Sequence, residues 1–373
     1  MQISALILIC FYTESKENYI KIPPIKTQEI YHIVLRNLKV QHQVRLKDVL
    51  IELKDIDKVV QKLALRISRT ELIEAKSELE QAKKANMKWV LLSDKNYPVL
   101  LKQSEGPPLI LYYKGDITLL NDRLNKILSI VGTRKMTAYG SQLIQNCLHE
   151  LASINPVIVS GLAYGVDYLA QELAIDLNLK TVQVCAYGLD IIYPKKHKAL
   201  FKKIETHGLV LSEYPPGTSP LKHHFLTRNR IIAGVSWATL IIESALKGGS
   251  LTTAKYAFEY NRPLFCFPGR VTDVYSQGCN LLIHRQMAIG ILSVQDLANE
   301  LQWPLESPTS YSKTKLGPVE QQILELAQKD LRISIPSLLQ KTNYRKEELT
   351  LILVRLEIQG YLKRTKGLWY EKI

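Results

Sequence analysis

The sequence predicts an α/β protein built on a doubly wound parallel sheet, and two observations carry this prediction. Between residues 127 and 267, short apolar runs alternate with segments of helical length. Strict alternation of this kind places a crossover helix between successive parallel strands. The strand-like runs are apolar on both sides, as strands are when helices cover both faces of a sheet. We therefore expect an extended, Rossmann-like domain in this region.

The elements of this domain follow from the same alternation. Six strands are predicted, at residues 127–131, 157–159, 181–185, 209–211, 238–242 and 264–267. Four helices are predicted between them, at residues 139–152, 167–178, 198–206 and 250–260. A strand running into a turn at residues 91–98 and a short strand at 109–113 precede the alternating region. The predicted domain spans residues 87–300.

Residues 1–86 are predicted to form a small helical N-terminal module. Ser68 and Glu71 have the spacing of a capping box, and apolar residues then recur at helical spacing from Leu72 to Ala82. The apolar run at residues 5–12 is far shorter than the roughly 20 residues of a membrane-spanning helix. It also lacks a cationic lead-in, so we expect it to be buried core and the protein to have no membrane segment.

The C-terminal part is predicted to be a winged helix at residues 317–373, joined by a polar linker at 301–316. Its first and third helices have apolar faces, which include Ile323 and Leu353. A short helix near Pro336 lies between them. Two strand-like segments, 361–363 and 369–371, can pair around Lys366 and Gly367 as the terminal hairpin.

Composition narrows the class of partner. The 373 residues include 49 basic and 35 acidic side chains, a formal net charge of +14, which favours a polyanion such as nucleic acid over an acidic membrane surface. The excess is spread along the chain, so charge alone does not locate the binding domain. The five cysteines have no metal-binding spacing and fit a reducing compartment, so we expect a cytoplasmic protein without a metal.

Ligands of a doubly wound sheet bind beyond the carboxyl ends of its strands. Glycine-rich turns at helix starts suit a phosphate there, because they let a ligand approach backbone N–H groups. Three such turns follow predicted strands, and they contain Gly132, Thr133 and Arg134, then Ser160, Gly161 and Gly165, then Gly249 and Ser250. The first is equally consistent with an ordinary turn. None is a dinucleotide fingerprint or a P-loop, so no cofactor is expected.

The longest loop is predicted after the fourth strand of the alternating region. It holds Lys222, Phe225, Arg228, Asn229 and Arg230. Cations neutralise a nucleic-acid backbone while an aromatic ring stacks on a base, a combination suited to a single strand. The alternative is that Phe225 is core and Arg228 pairs with Glu213. The densest basic cluster, Lys195 to Lys203, is either a solvated face or a further DNA contact.

Seven sequence strings resemble those of the DNA-processing protein A family, also called DprA or Smf. In order they are VGTRKMTAYG (131–140), SGLAYGVD (160–167), GLDIIYP (188–194), SEYPPG (212–217), FLTRNRIIAG (225–234), GSLTTA (249–254) and PG (268–269). The resemblance covers roughly residues 87–295. It implies a homodimer that binds single-stranded DNA and loads a RecA-type recombinase during natural transformation, with no catalytic reaction.

The family's DNA-contact positions match at Arg134, Lys222, Phe225, Arg228 and Asn229, whereas Tyr164 stands where the family often has arginine. Two enzymatic functions are the alternatives to DNA binding. A nucleotide phosphoribohydrolase needs a glutamate where this chain has Lys255, which disfavours it. A nuclease needs clustered carboxylates for metal. The scattered single carboxylates Asp167, Asp190, Glu213 and Glu243 leave that possibility open.

Overall fold

The computed structural model describes residues 29, 33, 36–37, 69–305, 317–329, 333–342, 344–358, 361–365 and 369–372. The chain divides into two compact units, Met1–Leu305 and Glu306–Ile373. No helix within the described ranges is both long and apolar enough to cross a membrane.

The first unit contains a nine-stranded sheet with the order β1-β2-β6-β5-β4-β3-β7-β8-β9. The strands are β1 Lys88–Leu91, β2 Ile110–Gly115, β3 Ile127–Val131, β4 Val157–Ser160, β5 Thr181–Cys185, β6 Leu209–Ser212, β7 Ala238–Ile241, β8 Leu264–Cys266 and β9 Ile289–Gly290. Strands β3 to β9 pair in parallel, which confirms the predicted fold class. The sequence did not predict that β2 pairs antiparallel with β6, or that β1 pairs antiparallel with β2 at the edge.

Helices cover both faces of this sheet. They are α1 Arg69–Lys84, α2 Val99–Lys102, α3 Leu119–Asp122, α4 Ala138–Leu151, α5 Val166–Asp176, α6 Lys198–His207, α7 Lys222–Val235, α8 Ser250–Glu259, α9 Gln277–His284 and α10 Val294–Glu300. Alternate side chains of one strand enter different cores. Ile127 and Val131 of β3 join the core under α7 and α8, whereas Leu128 and Ile130 join the core under α4 and α5.

The segment that begins at Lys222 is helical, which corrects the prediction of a loop extending to Arg230. Helix α7 turns its side chains at 228, 231, 232 and 235 into the protein. An arginine occupies the first of these inward positions, so the apolar periodicity that normally identifies a helix is interrupted. The long connection after β6 therefore ends near Leu221, whose backbone is extended.

Helix α1 packs on the sheet of the first unit. Its apolar positions from Leu72 to Ala82 share one core with Ile33, Ile110 of β2 and Phe201 of α6. Arg36 adds an ion pair with Glu78 of α1 at 2.6 Å. Helix α1 thus shares a core with the sheet domain, and the boundary after residue 86 stays a prediction. Ser68 and residues 5–12 lie outside the described residues.

The second unit has its own core and a three-stranded antiparallel sheet of order β10-β12-β11. Its elements are α11 Pro318–Lys329, β10 Ile333–Ser334, α12 Ile335–Lys341, α13 Lys346–Ile358, β11 Leu362–Thr365 and β12 Trp369–Lys372. Helices and the terminal hairpin lie where the sequence predicts them, and β10 adds a strand. The assignment as a winged helix stays a prediction.

Candidate nucleic-acid interface

The order of the parallel strands contains one reversal, and the reversal lies at β3. From β3 the chain proceeds through β4, β5 and β6 on one side, and then crosses to β7, β8 and β9 on the other. Loops diverge at such a switch point and leave a crevice beyond the carboxyl ends of the strands. The turn after β3 therefore lies at the position where a doubly wound fold binds its ligand.

A buried carboxylate fixes the turn after β3. Glu243, which follows β7, accepts hydrogen bonds from the backbone nitrogen of Thr137 at 2.9 Å and from its hydroxyl at 2.6 Å. The backbone nitrogen of Thr133 donates to the carbonyl of Glu243 at 2.8 Å. These bonds hold both ends of the turn, while Arg134 between them remains exposed to solvent.

Two glycines in the turn after β4 are required by their surroundings. Gly165 has a φ of +78°, and a Cβ there would overlap the carbonyl oxygen of Thr133. A Cβ on Gly161 would lie 2.5 Å from a guanidinium nitrogen of Arg228. The turns after β3 and β4 are also joined directly, because the nitrogen of Val166 donates to the carbonyl of Thr133 at 3.2 Å.

Arg228 lies beneath these turns and not on the surface. It is 3% exposed, and its guanidinium donates to the carbonyl oxygens of Gly161, at 3.2 Å, and of Val184. Burial raises the pKa of the neighbouring Asp167, while the positive charge of Arg228 and the backbone N–H of Gly161 oppose that rise. Burial in turn lowers the pKa of Arg228, and Asp167 opposes that change. Arg228 therefore supports the two turns from inside the protein, which corrects the prediction that it contacts DNA directly.

Three other residues that were predicted to contact DNA are hydrogen-bonded or ion-paired within the protein. Arg230 forms an ion pair with Glu213 and donates to the carbonyl of Gly106 at 2.9 Å. The alternative that paired Glu213 with Arg228 is therefore also wrong. Ser160 is fully buried and donates to the carbonyl of Ile130 at 2.7 Å, and Ser250 is buried with its hydroxyl bonded to Ser244 at 2.8 Å.

Phe225 and its neighbours form the accessible part of the site. The ring is half-buried, and its centroid lies 5.9 Å from the guanidinium carbon of Arg134. Lys222 lies one helical turn earlier, is exposed, and has no ion pair among the described residues. Asn229 donates to the carbonyl of Gly249 at 3.2 Å, which attaches α7 to the start of α8.

The structure therefore brings eight of the thirteen predicted residues to one surface, which we call the ligand face. Its members share full or partial exposure and lie on connected turns and helix starts: Thr133, Arg134, Gly161, Gly165, Lys222, Phe225, Asn229 and Gly249. The remaining five are the buried Ser160, Arg228 and Ser250, the half-buried Arg230 in its ion pair with Glu213, and Gly132, which lies half-buried at the root of the first turn.

Sequence reasoning missed the roles of Asp167 and Glu243 as anchors of the two turns. Asp167 directly follows a glycine-rich turn and Glu243 directly follows a strand, and this placement could have indicated their roles. Carboxylates at these positions were instead considered as metal ligands. In the structure Asp190 accepts from the nitrogen of Gly217 at 2.9 Å, so the four carboxylates considered for a nuclease all bind groups of the protein itself. Within the described ranges, no group of three His, Cys, Asp or Glu could hold a metal.

The fold and this face define a Rossmann-like protein whose ligand edge combines glycine-rich turns, exposed cations and an accessible aromatic ring. A family model described as DNA recombination-mediator protein A matches residues 88–302. The chain belongs to this family.

Relatives with similar sequences match more than half of this chain. The DNA processing protein DprA of Bacillus subtilis is 41% identical over 210 residues, which are 56% of this chain and 70% of that protein. DprA of Streptococcus pneumoniae is 39% identical over 210 residues, covering 56% of this chain and 73% of the relative. Protein Smf of Synechocystis is 39% identical over 223 residues, 59% of this chain and 56% of that protein.

Two solved structures resemble this chain closely enough to compare folds. The X-ray structure of DprA from Streptococcus pneumoniae has a TM-score of 0.57 and 32% identity, and the match covers 74% of this chain and 93% of that one. DNA processing protein A from Helicobacter pylori has a TM-score of 0.52 and 36% identity, covering 58% and 97%. The latter structure is described as showing a single-stranded DNA binding mode of the Helicobacter protein.

Proposed function

We propose that this protein is a non-enzymatic, single-stranded DNA-binding recombination mediator of the cytoplasm. It acts as a homodimer that delivers incoming DNA to a RecA-type recombinase in natural transformation. The observation that carries the proposal is the half-buried ring of Phe225 beside the exposed cation Arg134, with the exposed Lys222 three residues earlier on the same helix. Family membership and the DNA-binding mode described for the Helicobacter relative support it.

The chemistry of the ligand face suits a single strand. Arg134 and Lys222 neutralise phosphates, and the positive end of the α8 helix dipole at Gly249 favours a further anion. A base can stack on the exposed part of Phe225 only when it is free of a partner strand, because a half-buried ring cannot enter a stacked duplex. None of these contacts reads a base edge, so little sequence preference follows.

Binding of the full chain to single-stranded and duplex DNA of equal length tests the proposal. We expect the single strand to bind more tightly, with little dependence on sequence and with an affinity that falls steeply as salt rises. Anisotropy titrations across a salt series measure both quantities. Equal affinity for the two forms of DNA would contradict the proposed function.

Removal of one exposed cation should reduce the salt dependence of DNA binding by the contribution of one phosphate contact. Arg134→Ala and Lys222→Ala should each weaken single-strand binding and flatten the slope of log affinity against log salt by about one unit, because each neutralises one phosphate. Lys76→Ala on the exposed side of α1 is the matched control and should leave the slope unchanged. If the slope is unchanged in both Arg134→Ala and Lys222→Ala, the DNA strand does not bind at the ligand face.

The C-terminal unit is expected to contribute little to single-strand affinity. Arg355 is paired with Glu320 at 3.5 Å, and Glu348 accepts from the backbone nitrogen of Arg345 at 2.9 Å. Paired cations and adjacent carboxylates weaken the attraction of α13 for phosphate. Deleting residues 312–373 should therefore change the Kd less than about tenfold, or ~1.4 kcal/mol. A larger loss in a folded, dimeric fragment would make this unit a principal DNA-binding element.

A further inference from the structure

Two tyrosines near the ligand face expose aromatic rings that the contacts described above do not use. Tyr193 is 44% exposed and Tyr164 is 45% exposed, although the backbone of Tyr193 is hydrogen-bonded to Tyr187 and that of Gly161, three residues before Tyr164, to Asp167. Neither hydroxyl has a hydrogen bond to another described residue. Exposed aromatic rings on a fixed backbone are suited to stacking, because little side-chain freedom is lost when a flat ligand covers them.

The backbone of Tyr193 is fixed from beneath by a buried side chain. The hydroxyl of Tyr187 donates to the carbonyl of Tyr193 at 2.5 Å and accepts from its nitrogen at 3.3 Å. The ring of Tyr193 lies with its centroid 5.8 Å from that of Phe225. Tyr193 therefore presents its ring directly beside the one aromatic ring that the proposed function already uses.

A short segment of chain and the buried ring of His197 connect Tyr193 to Tyr164. The nitrogen of His197 donates to the carbonyl of Pro194 at 3.0 Å, and its buried ring is bonded at 3.0 Å to the carbonyl of Leu162. The ring of Tyr164 lies edge to face with that of His197, at a centroid distance of 4.7 Å. The rings of Phe225 and Tyr193 thus form one contacting pair and those of His197 and Tyr164 a second, with residues 194–197 joining the two pairs. We call these four side chains the aromatic row.

Unpaired cations lie along this row. Lys195, Lys196 and Lys198 are exposed and have no carboxylate partner among the described residues. Farther along α6 the pattern changes, since Lys202 is paired with Glu205 at 2.5 Å. The nearby carboxylate of Asp190 is bound to the nitrogen of Gly217. Free positive charge is therefore concentrated at the end of the lysine cluster that lies next to the aromatic row.

We infer that the aromatic row is an extension of the DNA site, in which bases after the one at Phe225 stack on Tyr193 and then on Tyr164. Lys195, Lys196 and Lys198 contact the phosphates of this part of the strand. The inference rests on the proposed function and adds to it a path for the strand beyond Phe225. Alternating aromatic rings and cations are the arrangement that holds single strands without regard to sequence.

The inference predicts that affinity depends on strand length through these side chains. Oligothymidylates from about 4 to about 16 nucleotides span the site sizes of single-strand binding folds. The full chain should bind the long strands more tightly than the short ones. Tyr193→Ala and Tyr164→Ala should each weaken binding of the longest strand by about fivefold or more, with a much smaller effect on the shortest.

Control variants separate stacking from folding and charge. Tyr193→Phe and Tyr164→Phe keep the rings and should bind like the unaltered chain. Phe258→Ala removes an aromatic ring of similar exposure, 49%, from the far end of α8 and should have no effect. Joint replacement of Lys195, Lys196 and Lys198 by alanine should flatten the salt slope for long strands by about two units. Denaturant midpoints confirm that each variant is folded.

The outcomes distinguish this inference from the proposed function. If Tyr193→Ala, Tyr164→Ala and the triple lysine variant bind long strands like the unaltered chain, while Phe225→Ala binds them weakly, the aromatic row is not part of the site and the proposed function stands. If the unaltered chain binds no single strand, or Arg134 and Phe225 variants leave binding unchanged, the proposed function fails and the inference fails with it.

Discussion

Replacing Arg228 by alanine should lower the free energy of unfolding by about 3–5 kcal/mol, the cost of removing one of two neighbouring buried charges. The substitution leaves the carbonyl oxygens of Gly161 and Val184 without this donor, and it leaves the carboxyl of Asp167 without its cationic neighbour. Denaturant titration of the full chain measures the change, provided that the transition of the first unit is resolved from that of the second.

Two further variants test this explanation. Arg228→Lys keeps a charge but supplies one compact ammonium where a planar guanidinium reaches several acceptors, so most of the stability should still be lost. Asp167→Asn combined with Arg228→Met removes both charges and should be less destabilised than the sum of the single changes. If Arg228→Ala is as stable as the unaltered chain and only flattens the salt slope of DNA binding, Arg228 is a direct phosphate contact.

Replacing Phe225 by alanine should weaken single-strand binding by about 1–3 kcal/mol, or roughly fivefold to 150-fold. Stacking releases no counterion, so the salt slope should stay the same. This distinguishes Phe225 from Arg134, whose ζ carbon lies only 5.9 Å from the ring centroid. Anisotropy titrations at several salt concentrations measure both the affinity and the slope.

Stability must be measured alongside binding, because Phe225 also packs against the core that contains Tyr187. Phe225→Leu keeps much of the apolar packing and removes the aromatic face, so it should fold normally and still bind weakly. Phe225→Trp should retain binding if the larger ring is accommodated. A Phe225→Leu variant that binds single strands as tightly as the unaltered chain would show that the ring is structural only.

The amino-acid sequence determined the parallel part of the sheet. Apolar runs such as Ile127–Val131 and Thr181–Cys185 lie where they were predicted to the residue. Burial on both faces favours apolar side chains on both sides of a strand, and this preference is visible locally in the sequence. The antiparallel edge formed by β1 and β2 was not predictable in the same way. It joins the sheet where β2 pairs with β6, and the paired residues are about 100 positions apart in the chain.

The positions of the ligand loops were also predictable, since glycine-rich turns follow the strands in order. The roles of the charged residues within them were not. Arg134, Arg228 and Arg230 belong to the same residue type and all lie in the predicted site, yet only Arg134 is exposed. Arg228 faces inward because helix α7 begins at Lys222 and places residue 228 on the buried side.

Sequence alone therefore determined which segments form the sheet and where its ligand edge lies, because strand burial and turn chemistry are local properties. Tertiary structure decided which side chains at that edge remain free for a ligand. That choice depends on partners distant in the chain, such as Glu213 for Arg230, Asp167 for Arg228 and the Glu243 carboxylate for the turn at Thr137. An arginine that is paired within the fold and an arginine that is free to bind DNA cannot be distinguished in the sequence. Only the packing of the folded chain shows which is which.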